Sequence, residues 1–290
     1  MAEARQILRR RRAIRNIYKI CYTMQLIATA RFKRAMDRAL EAEAYTRKIA
    51  EVARDLARAA RQIQHPLLEI RTPARRAAVL VITANRGLCG GYNTNILRAA
   101  TAHLESLSDC EWILDVAGRR GIAYFKFRHI PMRNTYTHFE DKVRFEEVLP
   151  LANEFITMYE TKQIDRVDVV YMRFFSAGRQ APVVETLLPL SAPAAEQDSQ
   201  RCEEQTLYDF YPDPEDILKE LLPVSAQVRL FKAFLDAASS EQIARMVAMK
   251  GATENAARMD RTLTLMYNRA RQEKITKELA EIVGGAEALK

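Results

Sequence analysis

Residues Thr83 to Asn95 read TANRGLCGGYNTN and follow the apolar run AAVLVI. An apolar strand that feeds a glycine-rich turn and then a helix can hold a phosphate, because bare backbone N–H groups at a helix start surround an anion. Nucleotide binding is the chemistry this loop could do, with Gly87, Gly90, Gly91 and Arg86 as its agents. The spacing, however, is neither GxGxxG nor GxxxxGK[ST], no lysine follows Gly91, and Tyr92 crowds the place of a phosphate. The residues predict a tight turn that lets the next helix pack closely on the sheet. No cofactor and no direct nucleotide binding are expected.

Other reactive side chains are scattered. Cysteines 21, 89, 110 and 202 form no CxxC pair and no metal-ligand spacing with histidines 65, 103, 129 and 138. No metal site is expected, and the cysteines point to a reducing compartment. No Ser or Cys partner for a histidine is identifiable, and acidic pairs such as Glu146 and Glu147 read as solvated helix surface, so no catalytic residue is assigned.

The elements around these residues follow from the proline distribution. All ten prolines fall between His65 and Val224. Proline inside a helix costs about 3 kcal/mol, so the two proline-free ends can be long helices. The expected domains are a helix over 1–65, a central α/β lobe over 70–220 and a helix over 224–290. The first arm repeats apolar residues every seventh position at Ile7, Ile14, Cys21, Ala28, Ala35, Ala42, Ile49, Leu56 and Ile63. The row three residues on is mixed: Arg10, Ile17, Met24, Arg31, Arg38, Tyr45, Val52 and Ala59. Such a repeat specifies a left-handed supercoil with a partner helix. The last arm matches it through Leu235, Ala238, Met249, Ala252, Ala256, Met259, Leu263, Met266 and Ala270, with polar Gln242 and Arg245 interrupting and Gly284-Gly285 expected to stop the helix. The arms are expected to pair antiparallel, as a rod about 90 Å long at 1.5 Å per residue.

In the centre, Ala77–Thr83, the segment from Trp112, the segment from Asp165 and the segment from Val183 read as strands. Thr94–Leu107 and Arg144–Glu160 read as helices, giving an α/β layer with a mostly parallel sheet. The segment SAPAAEQDSQ from Ser191 reads as a linker. With 48% apolar and 28% charged residues over 290 positions, the chain can fill a core, and no run reaches the length of a bilayer span. The N-terminal arginines lie within the helical repeat and do not read as a transit peptide. The first 65 residues hold 16 Lys and Arg against 6 Asp and Glu. That charge leaves a basic coiled-coil nucleic-acid-binding protein as the alternative function, although the arm's aromatics, Tyr18, Tyr22, Phe32 and Tyr45, are not grouped as a stacking platform.

Four segments decide between these readings: RRRRAIRNIYKICYTMQLIATARFKRA from Arg9, NRGLCGGYNTN from Asn85, SEQIARMVAMKGATENA from Ser240 and YNRARQEKITKELAEIVGGAEAL from Tyr267. In this order they resemble the gamma subunit of the F-type ATP synthase, the central rotor shaft. The resemblance implies a Rossmann-like α/β lobe inserted in an antiparallel coiled coil, with no catalysis by the chain itself. It implies as partners three alpha and three beta subunits, the epsilon subunit and the membrane c-ring, with no nucleic acid. It places the chain peripherally on the cytoplasmic face of the bacterial inner membrane, coupling proton flow to ATP synthesis or hydrolysis.

By match to the family motifs, contacts with the alpha/beta ring are expected at Met24, Arg245, Arg271, Gln272, Thr276, Glu278 and Glu281. An apolar bearing is expected at Ile282, Val283, Ala286, Ala288 and Leu289, and Arg31, Lys33, Arg34 and Arg38 are expected to face acidic loops of beta. The sequence departs from the family where Asn85 replaces Asp and where Tyr22 and Thr23 replace Lys and Ala. The first is expected to matter little to a turn, the second to alter the contact with the ring.

Overall fold

The computed structural model describes residues 2–59, 65–108, 110–139, 142–190 and 214–288, with side chains for these except 2–4, 39–47, 49–59, 214–216, 218 and 286–288. Two compact units emerge: Met1–Ala30 with Arg245–Lys290, and Arg31–Ala244.

The second unit is built on a five-stranded sheet ordered β3-β2-β1-β4-β5. Its strands are β1 (Arg76–Ile82), β2 (Glu111–Ala117), β3 (Asn134–Tyr136), β4 (Arg166–Ser176) and β5 (Arg179–Leu188). The first four run parallel and β5 returns antiparallel beside β4. Between them run α2 (Tyr92–Ser106), α3 (Arg119–Phe127) and α4 (Phe145–Glu160), while α1 (Ala2–Ala59) and α5 (Pro214–Ala288) come from the chain ends. Because β1 is buried on both faces from Ala77 onward, those residues are apolar without alternation. Ala78, Leu80 and Ile82 join α4 and α5 in one core, and Ala77, Val79 and Val81 join α2 and α3 in another.

Three expectations change. Helix α3 and strand β3 were not expected: α3 is short and β3 has three residues, too few for periodicity to register. Helix α5 begins at Pro214 and runs through Pro223, so it starts ten residues before the expected 224. The lost hydrogen bond there is offset by burial of Leu222, Ala226 and Leu230 on one face. Nor do Gly284 and Gly285 end the helix, which continues to Ala288. Glycine costs a helix about 1 kcal/mol, which lowers its stability without forbidding it. The segment from Ser191, and Ala42, Tyr45, Ile49, Val52, Leu56, Ala59, Ile63, Ala286, Ala288 and Leu289 of the expected rows, lie outside the described residues or side chains.

The glycine loop is tied by its own side chains. Ala84 N–H donates to Asn93 Oδ1 at 3.0 Å, and Asn93 Nδ2 donates to Cys89 Sγ at 3.1 Å. The Thr83 hydroxyl donates to the Ala117 carbonyl and accepts from Gly121 N–H, both at 2.9 Å. Gly118 has φ +100°, and a Cβ there would stand 2.1 Å from the Thr83 carbonyl oxygen. Only glycine fits this approach of β1 to the start of α3. Asn85 Nδ2 donates to the carbonyls of Phe139 at 2.7 Å and Thr137 at 3.2 Å, while its Oδ1 accepts from Arg119 N–H at 3.1 Å. The expectation that Asn in place of Asp matters little is therefore corrected, since an ionised Asp has no proton to donate.

In an open sheet of this order the strand order reverses between β1 and β4, and ligands commonly sit at the carboxyl ends of those strands. Here α5 lies across them. The Tyr92 hydroxyl donates to the Ala237 carbonyl at 3.0 Å, and the Ser240 hydroxyl donates to the Met172 carbonyl at 3.2 Å. The Phe139 and Phe234 rings stand 4.5 Å apart. Helix α5 is thus packed against residues near these strand ends.

Candidate partner-binding surface on the paired helices

The first unit consists of two helical stretches, one from each chain end. Asp260 accepts from Arg15 Nε at 3.0 Å and Arg11 Nε at 3.3 Å. These bonds, from Arg15 first and Arg11 second, hold the Asp260 carboxyl below its ordinary range. Burial increases along α1 from partly covered Ile7, Ile14 and Cys21 to Ala28, and along α5 in the opposite direction, towards Ala256 and Met249. The two helices pair antiparallel, and alanine at position 28 allows close approach.

The expected seam is half right. Its first row is covered wherever side chains are described, but in the second Arg10 and Ile17 are exposed, as are Met259 and Met266 on α5. Gln242 and Arg245, which interrupt the seam, are buried at 2% and 7% exposure.

The expected contact residues fall in three settings. Met24 is half-buried beside the seam and Arg245 is buried, whereas Arg271, Gln272, Thr276, Glu278 and Glu281 are exposed on α5. Helical spacing aligns Arg271, Glu278 and Glu281 on one side and Gln272 with Thr276 on another. Thr276 donates to the Gln272 carbonyl at 3.0 Å, and Glu278 pairs with Lys274 at 3.2 Å. These two are partly engaged within their own helix. With Asp260 opposite Arg11 and Arg15 and equal rise in both helices, α1 runs out beside residue ~271 of α5. Beyond that point α5 has no described helix alongside, yet Ile275, Leu279, Ile282 and Val283 are 56%, 61%, 69% and 55% exposed.

Sequence reasoning missed most of a second set, having expected only Tyr22 near the ring contact and Ile17 in the seam. Ile17, Tyr18, Ile20, Tyr22, Leu26 and Ile27 of α1 are all exposed, and Tyr18 stacks on Tyr22 with ring centroids 6.2 Å apart. On α5, Val247 and Leu265 are bare as well. The available signal was apolar residues off a seam already satisfied by the seven-residue row. Exposed apolar side chains on this scale mark a surface made for a partner. Among the described residues no cluster of His, Cys, Asp and Glu could hold a metal, and no helix is long and apolar enough to cross a membrane.

Comparison with known proteins gives this surface a context. A family model described as ATP synthase matches residues 3–289. The sequence is 49% identical over 294 aligned positions to the ATP synthase gamma chain of Rhodopirellula baltica, covering 100% of this chain and 99% of that one. It is 38% identical to the ATP synthase gamma chain of Leptospira biflexa, with 100% of both covered. A chain in the cryo-EM structure of the Euglena gracilis mitochondrial ATP synthase OSCP/F1/c-ring, rotational state 3, matches with a TM-score of 0.69 at 21% identity, covering 99% of this chain and 95% of that one. A chain of the same enzyme's rotor in rotational state 1 matches with a TM-score of 0.65 at 21% identity, over 94% and 99% of the two chains. These last two similarities concern the fold.

Proposed function

We propose, since this chain belongs to the ATP synthase gamma family, that it is the central rotor shaft of a proton-translocating ATP synthase. It carries torque between the membrane c-ring and the catalytic ring of three alpha and three beta subunits, with the epsilon subunit as its companion on the rotor. The chain performs no catalysis itself. It sits peripherally on the cytoplasmic face of a bacterial inner membrane.

The observation that carries the reading is the bare apolar stretch of α5 beyond residue ~271, which no described residue of α1 accompanies. A helix that exposes Ile275, Leu279, Ile282 and Val283 to water gains free energy only when something surrounds it. A sleeve of apolar side chains would do so without the directional bonds that resist rotation. Met24, Arg245, Arg271, Gln272, Thr276, Glu278 and Glu281 are the proposed contacts with the alpha/beta ring. The bearing is proposed at Ile282, Val283, Ala286, Ala288 and Leu289. Arg31, Lys33, Arg34 and Arg38 are proposed to face acidic loops of beta.

The mechanism needs asymmetry. Two paired helices with unlike faces present a different surface to each beta subunit at any moment. Only contacts that differ between open and closed beta can shift their populations, so turning the shaft alternates loose and tight nucleotide binding. Tyr18 and Tyr22 give this shaft a stacked aromatic face.

Co-expression with alpha and beta subunits from the same source tests the reading. The expected outcome is one copy incorporated per three alpha–beta pairs, with ATP hydrolysis dependent on it. A chain that stays separate, leaves hydrolysis unchanged and binds nucleic acid tightly at physiological salt would instead establish the nucleic-acid-binding alternative.

A further inference from the structure

Between Gln227 and Ser240, helix α5 is held to its surroundings by directional bonds as well as by apolar packing. Arg229 Nη2 donates to Glu185 Oε1 at 3.1 Å and to the Thr186 carbonyl at 3.1 Å. The other Glu185 oxygen accepts from the Tyr171 hydroxyl at 2.6 Å, and Tyr171 is 2% exposed. Gln227 Nε2 donates to Asn153 Oδ1 at 2.7 Å. With the Tyr92 and Ser240 bonds described above, α2, α4, β4 and β5 all grip one stretch of one helix.

A shaft needs such a grip more than a static protein does. Dispersion between apolar ridges has little directional preference, so a helix held by packing alone can slip to a neighbouring register under load. The backbone lies only about 2.3 Å from the helix axis, so a given torque demands a large tangential force there. A long side chain that reaches outward to a fixed carboxylate bears the same torque at a longer arm. The guanidinium suits this task because one planar nitrogen, Nη2, carries two N–H donors in fixed directions and holds the Glu185 carboxylate and the Thr186 carbonyl at once. Pulling it away would leave Glu185 partly desolvated without its cation, which opposes slippage further.

We propose that Arg229, Glu185 and Tyr171 form a torque lock, the point at which rotation of the α/β lobe is handed to α5. The lock keeps the helix from turning or sliding in the lobe while the far end works against the catalytic ring. It rests on the rotor reading above.

The test uses the complete complex, assembled with alpha, beta, epsilon and c-ring subunits in vesicles and carrying Arg229→Met, Arg229→Lys or Glu185→Gln. The readouts are the torsional stiffness of the single rotor and the proton gradient at which ATP-driven pumping stalls. With no load, hydrolysis should match that of the unaltered complex. Under load, Arg229→Met should lower stiffness on the order of twofold and stall against a smaller gradient, because a partly buried charge pair has been broken. Arg229→Lys, which keeps the charge without the planar donor geometry, should fall between the two. Should Arg229→Met fail to assemble, Glu185→Gln, nearly identical in shape, gives the same readouts. Unaltered stiffness and stalling gradient in assembled variants would overturn the lock and leave the rotor reading intact. An unaltered complex whose hydrolysis ignores this chain would remove both.

Discussion

At the scale of residues, Asn85 shows how a single amide organises a loop. Its donor group satisfies two carbonyls beyond β3 and its acceptor takes the first N–H of α3. Asn85→Asp should destabilise the lobe by about 1–3 kcal/mol at neutral pH, because a carboxylate would face two carbonyl oxygens with nothing to donate. Denaturant titration would measure it. Part of the loss should be recovered at acid pH, where the new carboxyl holds a proton, relative to the unaltered protein under the same conditions. A second residue titrates at the other extreme. Burial, with the Asp115 and Glu154 carboxylates nearby, pushes the Tyr136 hydroxyl up to about 12 from its ordinary 10.0. The folded value is raised, so its contribution to stability is whole below about pH 10 and is lost as pH rises through about 12. Tyr136→Phe should abolish that part of the alkaline loss, which thermal melts across this range can follow.

At the scale of elements, the two long helices divide their labour. The arms were legible in the sequence because a seven-residue repeat sums over many turns, and the described part of its first row, Ile7 to Ala35, is indeed covered. Arg245 was not legible in the same way. Spacing put it on the seam as a polar interruption and the family motif made it a ring contact, yet it is buried within the chain itself, a property set by neighbours remote in sequence. The short α3 and β3 escaped for want of length. Truncation after Lys277 should remove the bare apolar end while leaving the pairing around Asp260 intact. Assembly should survive and proton-driven ATP synthesis in membrane vesicles should fall. Undiminished synthesis would show that this end is no part of coupling.

At the scale of the whole molecule, charge and apolar exposure describe a chain made to be enclosed. The first 65 residues carry 16 basic against 6 acidic side chains, whereas residues 66–223 carry 18 against 23. Association with an alpha/beta ring should therefore slow and weaken as salt rises from low ionic strength towards 1 M, where the screening length shrinks to about 3 Å. Binding kinetics across that range would reveal it, and a rate indifferent to salt would mean that apolar contact alone guides docking. The Asp260 pairs with Arg11 and Arg15 are partly exposed at 26% for the carboxylate side chain, so they set helix register more than they stabilise it.

What the sequence determined by itself is what repeats or accumulates locally: the arms through their heptads, the buried strands through apolar runs, the turn through its glycines. Family membership followed from motifs spread over the chain. Only the tertiary structure decided that α5 packs near the β1 and β4 ends, that Asn85 donates, and that Arg229 reaches Glu185. Each depends on residues brought together from distant positions, and a hydrogen bond over 3.1 Å leaves no trace in spacing. Periodicity reports which face of an element is apolar, while directional bonds between elements exist only once those faces have packed.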